Sequence, residues 1–206
     1  MKRRAQGFTL LEMLLALALL AVLLGLVGTA LIGANRALVK GERYSQRLEQ
    51  VRASQDFLHR ALQGALPVDV AAAEGEQVRV FDGEPQRLVF AAGLNSALGG
   101  GIQVHTIELV TQGGHQALQV RFAQLLRGGL RPWGQPQVLL DDVRDLRLSY
   151  RGRDDRGQAT AWLPRWPWPA RLPQAVRIDL ASAGAVPWAT QVVALRLELS
   201  DQQGAP

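Results

Sequence analysis

Cysteine is absent from the 206 residues. Its absence removes disulfides, thiolate nucleophiles and zinc–thiolate centres, although it does not tell a reducing compartment from an oxidising one. Proline is missing between Phe8 and Leu66, although the chain holds 10 elsewhere, so nothing forces a helix to break over that stretch. Polar side chains are missing from Met13 to Gly28, and the apolar character continues through Thr29 to Ala34. Charge of one sign is barely in excess. The formal +5 includes Lys2, Arg3 and Arg4; without them 20 of the 23 Lys and Arg face 18 Asp and Glu, a balance that weakens a nucleic-acid reading. His59, His105 and His115 are scattered, without carboxylates at metal-ligand spacing and without a nucleophile beside a base. Asp141, Asp142 and Asp145, and Asp154 with Asp155, are acids of the kind that suit Ca²⁺, yet neither group has the loop spacing of an EF-hand. They read as turn and strand-edge solubility. No catalytic residue, metal or cofactor is expected, and an enzyme has no residues here to carry it.

What is present is a folded composition, 48% hydrophobic and 20% charged, in a chain long enough for one membrane segment and one head domain. Met13 to Ala34 makes roughly 33 Å of helix, enough to cross a hydrocarbon core of about 30 Å. Lys2, Arg3 and Arg4 precede it and place the N-terminus in the cytoplasm, with the long downstream domain translocated. A secretory signal peptide or plain signal anchor shares the basic start, but an h-region runs to about 15 residues and this run is longer. Glu12 separates the readings. A carboxylate inside an apolar segment costs on the order of 2.5–3.5 kcal/mol when charged near the bilayer centre, and less towards the interface, so it asks for a partner. A cut between Gly7 and Phe8 supplies one: the new α-amine lies four residues before Glu12, on the same helix face and at the positive end of the helix dipole.

Gly7-Phe8-Thr9-Leu10-Leu11-Glu12, after a short basic leader and before an apolar run, resembles the processing site of type IV prepilins and type II secretion pseudopilins. The resemblance implies that the prepilin peptidase cleaves between Gly7 and Phe8 and N-methylates Phe8, and that Glu12 serves assembly. It divides the chain into a leader (1–7), a transmembrane assembly helix (8–34), an amphipathic continuation of that helix (35–66) and a periplasmic head (67–206).

Along the continuation, Leu48, Val51, Leu58, Leu62 and Ala65 step at helical spacing after Leu38 and Tyr44, and Gly64 and Pro67 mark the end. Beyond it the period is two: Leu88 and Phe90; Ile107 and Leu109; Leu118, Val120 and Phe122; Leu146, Leu148 and Tyr150; Val176, Ile178 and Leu180; Val193, Leu195, Leu197 and Leu199. Gly113-Gly114 reads as a hairpin turn, Asp154-Asp155-Arg156-Gly157 as another turn, and Leu94 to Gly101 as a small-residue loop without phosphate-binding spacing. The expected fold class is α+β, pilin-like: a long N-terminal helix packed on a mostly antiparallel β head.

Leu146-Arg147-Leu148-Ser149-Tyr150, Gly157 with Trp162, Trp168-Pro169 and Leu172-Pro173-x-Ala175-Val176-Arg177-Ile178-x-Leu180, with Asp56-Phe57-Leu58-x-Arg60-Ala61-Leu62 on the stalk, resemble the J subunit, a minor pseudopilin of type II secretion. That resemblance implies a hetero-oligomeric pseudopilus tip with the I and K minor pseudopilins, and with H, that helps start assembly from the inner membrane. Glu12 argues against the K subunit, and the proline-free membrane half with the larger head argues against a major subunit. The alternative is a minor pilin of a type IV or DNA-uptake pilus, which shares the N-terminus; no nucleic acid is expected as a partner.

Two surface features carry two readings each. Arg36, Lys40, Arg43 and Arg47 form a basic stripe just beyond the membrane, either a solvated face anchoring at lipid headgroups or a face that meets acids on neighbouring stalks, with Arg43 and Arg47 as the partner contacts. Trp162, Trp166 and Trp168 crowd a proline-rich stretch, either as a partner surface or as cover for one end of the sheet core.

Overall fold

The proline-free stretch is helical. In a computed structural model of the chain, which describes residues 10–70, 77–93, 101–126, 129–184 and 186–195, it forms a single α-helix, α1 (Leu10–Gln63). The helix stops at Gln63 rather than at the expected Leu66. Gly64 closes the last turn on Arg60 O at 3.0 Å, and the next two residues are already a strand.

The chain divides into two compact units, Met1–Gln46 and Arg47–Pro206. In the first, the apolar span Leu10–Leu31 is covered by nothing: Leu, Val and Met side chains along it are exposed. Leu38 and Tyr44, which precede the stripe expected from Leu48 onward, are exposed too. In the second unit, α1 buries Val51, Ser54, Leu58, Ala61 and Leu62 at steps of three, four, three and one. This is the amphipathic face expected from Leu48 onward.

The strands follow in chain order. β1 (Ala65–Leu66), β2 (Phe81–Gly83), β3 (Arg87–Gly93), β4 (Ile102–Gln112), β5 (His115–Leu126) and β6 (Gly129–Leu140) make an antiparallel sheet in the order β1-β3-β4-β5-β6, with β2 pairing on β3 beside β1. β7 (Val143–Arg151), β8 (Ala175–Ser182) and β9 (Gln191–Ala194) make a second antiparallel sheet in that order. Each expected run of period two before residue 190 lies in a strand. Leu197 and Leu199 lie outside the described residues, as does most of the Leu94–Gly101 loop. Gly113 (φ 60°) and Gly114 (φ 84°) join β4 to β5, two left-handed residues in a row, which is the hairpin turn whose twist matches its strands.

β2 and β6 were not expected. β6 carries Pro132 and Pro136, has a burial pattern without alternation, and is bulged against β5. It escapes a period-two search because it lies at a sheet edge, where a missing N–H costs no ladder bond.

One face of the first sheet (Leu88, Phe90, Ile107, Leu118, Val120) packs with Leu146, Leu148, Tyr150, Val176 and Ile178 of the second and with Leu58 and Leu62 of α1. The opposite face carries a smaller cluster, Val70 with Val89, Ala91 and Val104. The β2–β3 turn stitches the two sheets: Leu148 N–H of β7 donates to Pro85 O (2.8 Å), while Leu109 N–H of β4 holds the same turn from within the first sheet by donating to Gln86 O (3.2 Å).

Tyr150 fixes that stitch. Its ring is fully buried, its hydroxyl donates to Glu84 O at 2.7 Å, and burial, with Asp82 and Glu84 adding, pushes its pKa up so that it stays a donor. Gly83 lies against the ring, where an added Cβ would come within 2.7 Å of Tyr150 Cζ and 2.8 Å of Cε1. Gly83→Ala is therefore expected to lower stability by about 1–3 kcal/mol through overpacking, read as a lower urea midpoint; an unchanged midpoint would mean that the ring yields freely.

Candidate functional site

Gly7 and Phe8 lie outside the described residues. Glu12 is in the first turn of α1, exposed on the isolated chain, and opens a run whose exposed apolar side chains have no counterpart on a soluble monomer. A fully buried Leu or Val gains about 1.5–3 kcal/mol over an exposed one, and the span Leu10–Leu31 has the length and composition to cross a membrane. Thr29, its polar interruption, spends its hydroxyl on Leu26 O at 2.9 Å, so that it adds no stray donor to an apolar medium.

The basic stripe is not uniform. Arg36, Lys40 and Arg43 are exposed. Arg47 is half-buried: Nη2 donates to Asp141 O (2.8 Å) and Nη1 to Gln50 Oε1 (2.9 Å), while Gln50 Nε2 reaches Asp141 Oδ2 (3.1 Å). Its side chain lies against Gly184, where a Cβ would meet Nε at 3.0 Å. Ser54 Oγ continues the seam, placed between Gln50 O and Leu139 O. Arg47 thus ties α1 to the β6–β7 turn within its own chain, which the reading as one free stripe did not foresee. A change at Arg47 acts on that seam as well as on any surface.

The three Trp residues also part company. Trp166 is 6% exposed and belongs to the core. Its backbone N–H donates to Gly83 O (2.9 Å) and its Nε1–H to Arg171 O (2.8 Å), and its ring closes over Gly152, where a Cβ would sit 2.5 Å from Cη2. Trp162 and Trp168 are half-buried. Trp168 meets Trp166 edge-on at 4.9 Å between centroids, donates Nε1–H to Asp155 Oδ2 (2.9 Å), and carries the Arg171 guanidinium 4.8 Å above its ring. Arg171 Nη2 also donates to Asp155 Oδ1 (3.0 Å). The Asp155–Trp168–Arg171 lock has no marker in the sequence, since its members are 3 to 16 residues apart in an aperiodic stretch.

The other candidate acids, and His105 and His115, have structural partners. Asp154 Oδ1 accepts from the N–H groups of Arg156 and Gln158 and builds the turn at Gly157 (φ 77°). Asp142 faces His115 at 3.4 Å, and Asp145 pairs with Arg147 at 3.0 Å. His105 is buried among Phe57, Phe90 and Phe122, with Nδ1 3.1 Å from Gln103 O; desolvation outweighs that hydrogen bond and lowers its pKa to about 4. Among the described residues no three His, Asp or Glu side chains are gathered to hold a metal. What the geometry offers is an apolar helical span opened by one carboxylate, and a folded β head later in the chain.

The family described as type II secretion system protein J matches residues 34–195, and the prokaryotic N-terminal methylation motif matches residues 2–28. The protein of Xanthomonas campestris pv. campestris called type II secretion system protein J is 40% identical over 201 residues, covering 95% of each chain. Among solved structures, a chain of the GspK–GspI–GspJ complex from the type 2 secretion system of enterotoxigenic Escherichia coli matches with a TM-score of 0.54 at 20% identity, covering 73% of this chain and 97% of that one. That match speaks for the fold.

Proposed function

We propose how the protein works from the premise that the chain belongs to the type II secretion system protein J family and is a minor pseudopilin. Residues 1–7 are the leader, and the prepilin peptidase cuts between Gly7 and Phe8 and methylates the Phe8 amine. Residues 8–34 then stand in the inner membrane, the helix continues beyond it, and the β head from residue 67 works in the periplasm. Glu12, one turn from the Phe8 amine, offsets that cation or a neighbour's in a medium where either charge alone is costly. The apolar side chains that nothing covers in the single chain find lipid first and the stalks of other subunits on assembly.

The partners proposed are the I and K minor pseudopilins, with H, in a tip that helps start the pseudopilus. The Escherichia coli complex of GspK, GspI and GspJ supports that choice. The observation that carries the whole reading is the union in one chain of a methylation motif at residues 2–28 and a protein J match at 34–195. Mass spectrometry of the protein recovered from membranes tests it: the expected N-terminus is N-methyl-Phe8, and a chain that keeps its first seven residues, or is clipped beyond Glu12, would overturn it. Capture of the I and K heads by the membrane-extracted protein tests the partners. Glu12→Leu is expected to be processed at Phe8 yet recovered in the assembled tip several-fold less than the wild type; equal recovery would show the acid to be dispensable.

A further inference from the structure

Resting on the membrane-spanning reading of α1, we propose that Asn35, Arg36, Lys40 and Arg43 hold the phosphate of an anionic phospholipid on the side of the membrane opposite Lys2–Arg4. These residues and Val39 line one groove on the helix surface. At 3.6 residues per turn, the steps of four and three put the three cations within an arc of about 60°. Each is exposed, and none has a hydrogen-bond or ion-pair partner among the described residues. Glu42, the acid in the same stretch, lies well round the helix from them. Like charges three and four residues apart repel weakly, a cost that an anion seated among them removes.

The position selects the anion. The apolar span ends at Leu31, and Arg36, Lys40 and Arg43 follow it by about 8, 14 and 18 Å of helix. The polar layer of a bilayer adds only about 5–8 Å to each side of the hydrocarbon. Every Cα–Cβ bond in a helix tilts towards its N-terminus, which here is towards the membrane, so the long cationic side chains lean back into the headgroups. Arg36 stands within the layer, Lys40 reaches down to it, Arg43 leans towards it from above, and Asn35 offers two amide N–H donors at its base. Val39 gives the groove an apolar floor. A partner stalk would meet the same cations only above the layer, which favours lipid as the occupant.

The test uses the full chain in nanodiscs of equal phosphatidylglycerol and phosphatidylcholine, with the lipids that remain bound counted by native mass spectrometry. Phosphatidylglycerol is expected in excess, and the excess is expected to fall about fivefold for each cation removed, reaching parity in the Arg36→Gln, Lys40→Gln, Arg43→Gln variant and staying intact in Glu42→Gln. Equal retention of the two lipids by the wild type would overturn the site, as would a triple variant that keeps its excess and instead loses cross-links to a neighbouring stalk. Loss of the preference to added inorganic phosphate would assign the groove to a free anion and overturn the lipid. Extraction of the wild type by alkaline carbonate would overturn the membrane reading itself; a retained chain without lipid preference overturns the groove alone.

Discussion

Replacing Trp166 with Ala is expected to cost about 3–5 kcal/mol of stability, the range for deleting a buried aromatic side chain. The indole is the plug at the end where the two sheets meet the proline-rich stretch. It fills the space over Gly152, and its Nε1–H satisfies Arg171 O. Truncation leaves a cavity, an unpaired carbonyl and a Trp168 ring without its edge-on neighbour at 4.9 Å. Against a total stability of about 5–15 kcal/mol, a fifth or more of the fold's margin would go, read as a lower urea midpoint with an unchanged slope. Half-buried Trp162 and Trp168 have less to lose, and they remain the aromatics proposed for partner contact. A Trp166→Ala protein with the wild-type midpoint would overturn the core assignment.

Acid is expected to destabilise the head through His105, by about 3 kcal/mol between pH 6.5 and pH 4. The neutral ring lies parallel to Phe90 at 5.3 Å and edge-on to Phe122 at 5.0 Å, and the carbonyl of Gln103 can only accept, so Nδ1 carries the proton. In the unfolded chain the ring titrates near 6.5, whereas in the fold burial holds it to about 4. Its contribution is therefore intact above pH 6.5. As the pH falls the unfolded state binds a proton that the folded state refuses, and stability drops by about 1.4 kcal/mol per pH unit until the folded ring also titrates. His105→Leu removes the titrating group from the same apolar cage. From pH 7 to 4 the unfolding free energy of the wild type should fall relative to that of His105→Leu by about this amount, and parallel curves would show that His105 ionises freely in the fold.

The stalk and most of the strands were legible because each has a period that burial enforces. Leu58 and Leu62 repeat along a helix, Leu88 and Phe90 along a strand, and Gly113-Gly114 is turn chemistry of a specific hand. The N-terminal motif was legible for a different reason: a lone acid in an apolar run has few explanations. What escaped has no local signal. Arg47 looks like its neighbours in the basic stripe, and only contact with Asp141, 94 residues on, makes it a fastening instead of a free cation. Trp166 sits between Trp162 and Trp168 in a stretch without periodicity, so nothing in the order of residues says which indole turns inward. β6 is masked by its prolines, and the helix boundary moved because Ala65 and Leu66 pair with Ala92 and Ala91, a competition between strand and helix that is decided across the fold.

The prolines of β6 also bear on how subunits can be joined. An open sheet margin is the place where one polypeptide most easily templates another, by lending its unused amide donors to an incoming strand. At Pro132 and Pro136 that margin has none to lend, and the bulges bend the rest out of line. That margin of the head is thereby a poor template for an incoming strand, and edge-to-edge pairing through β6 is disfavoured.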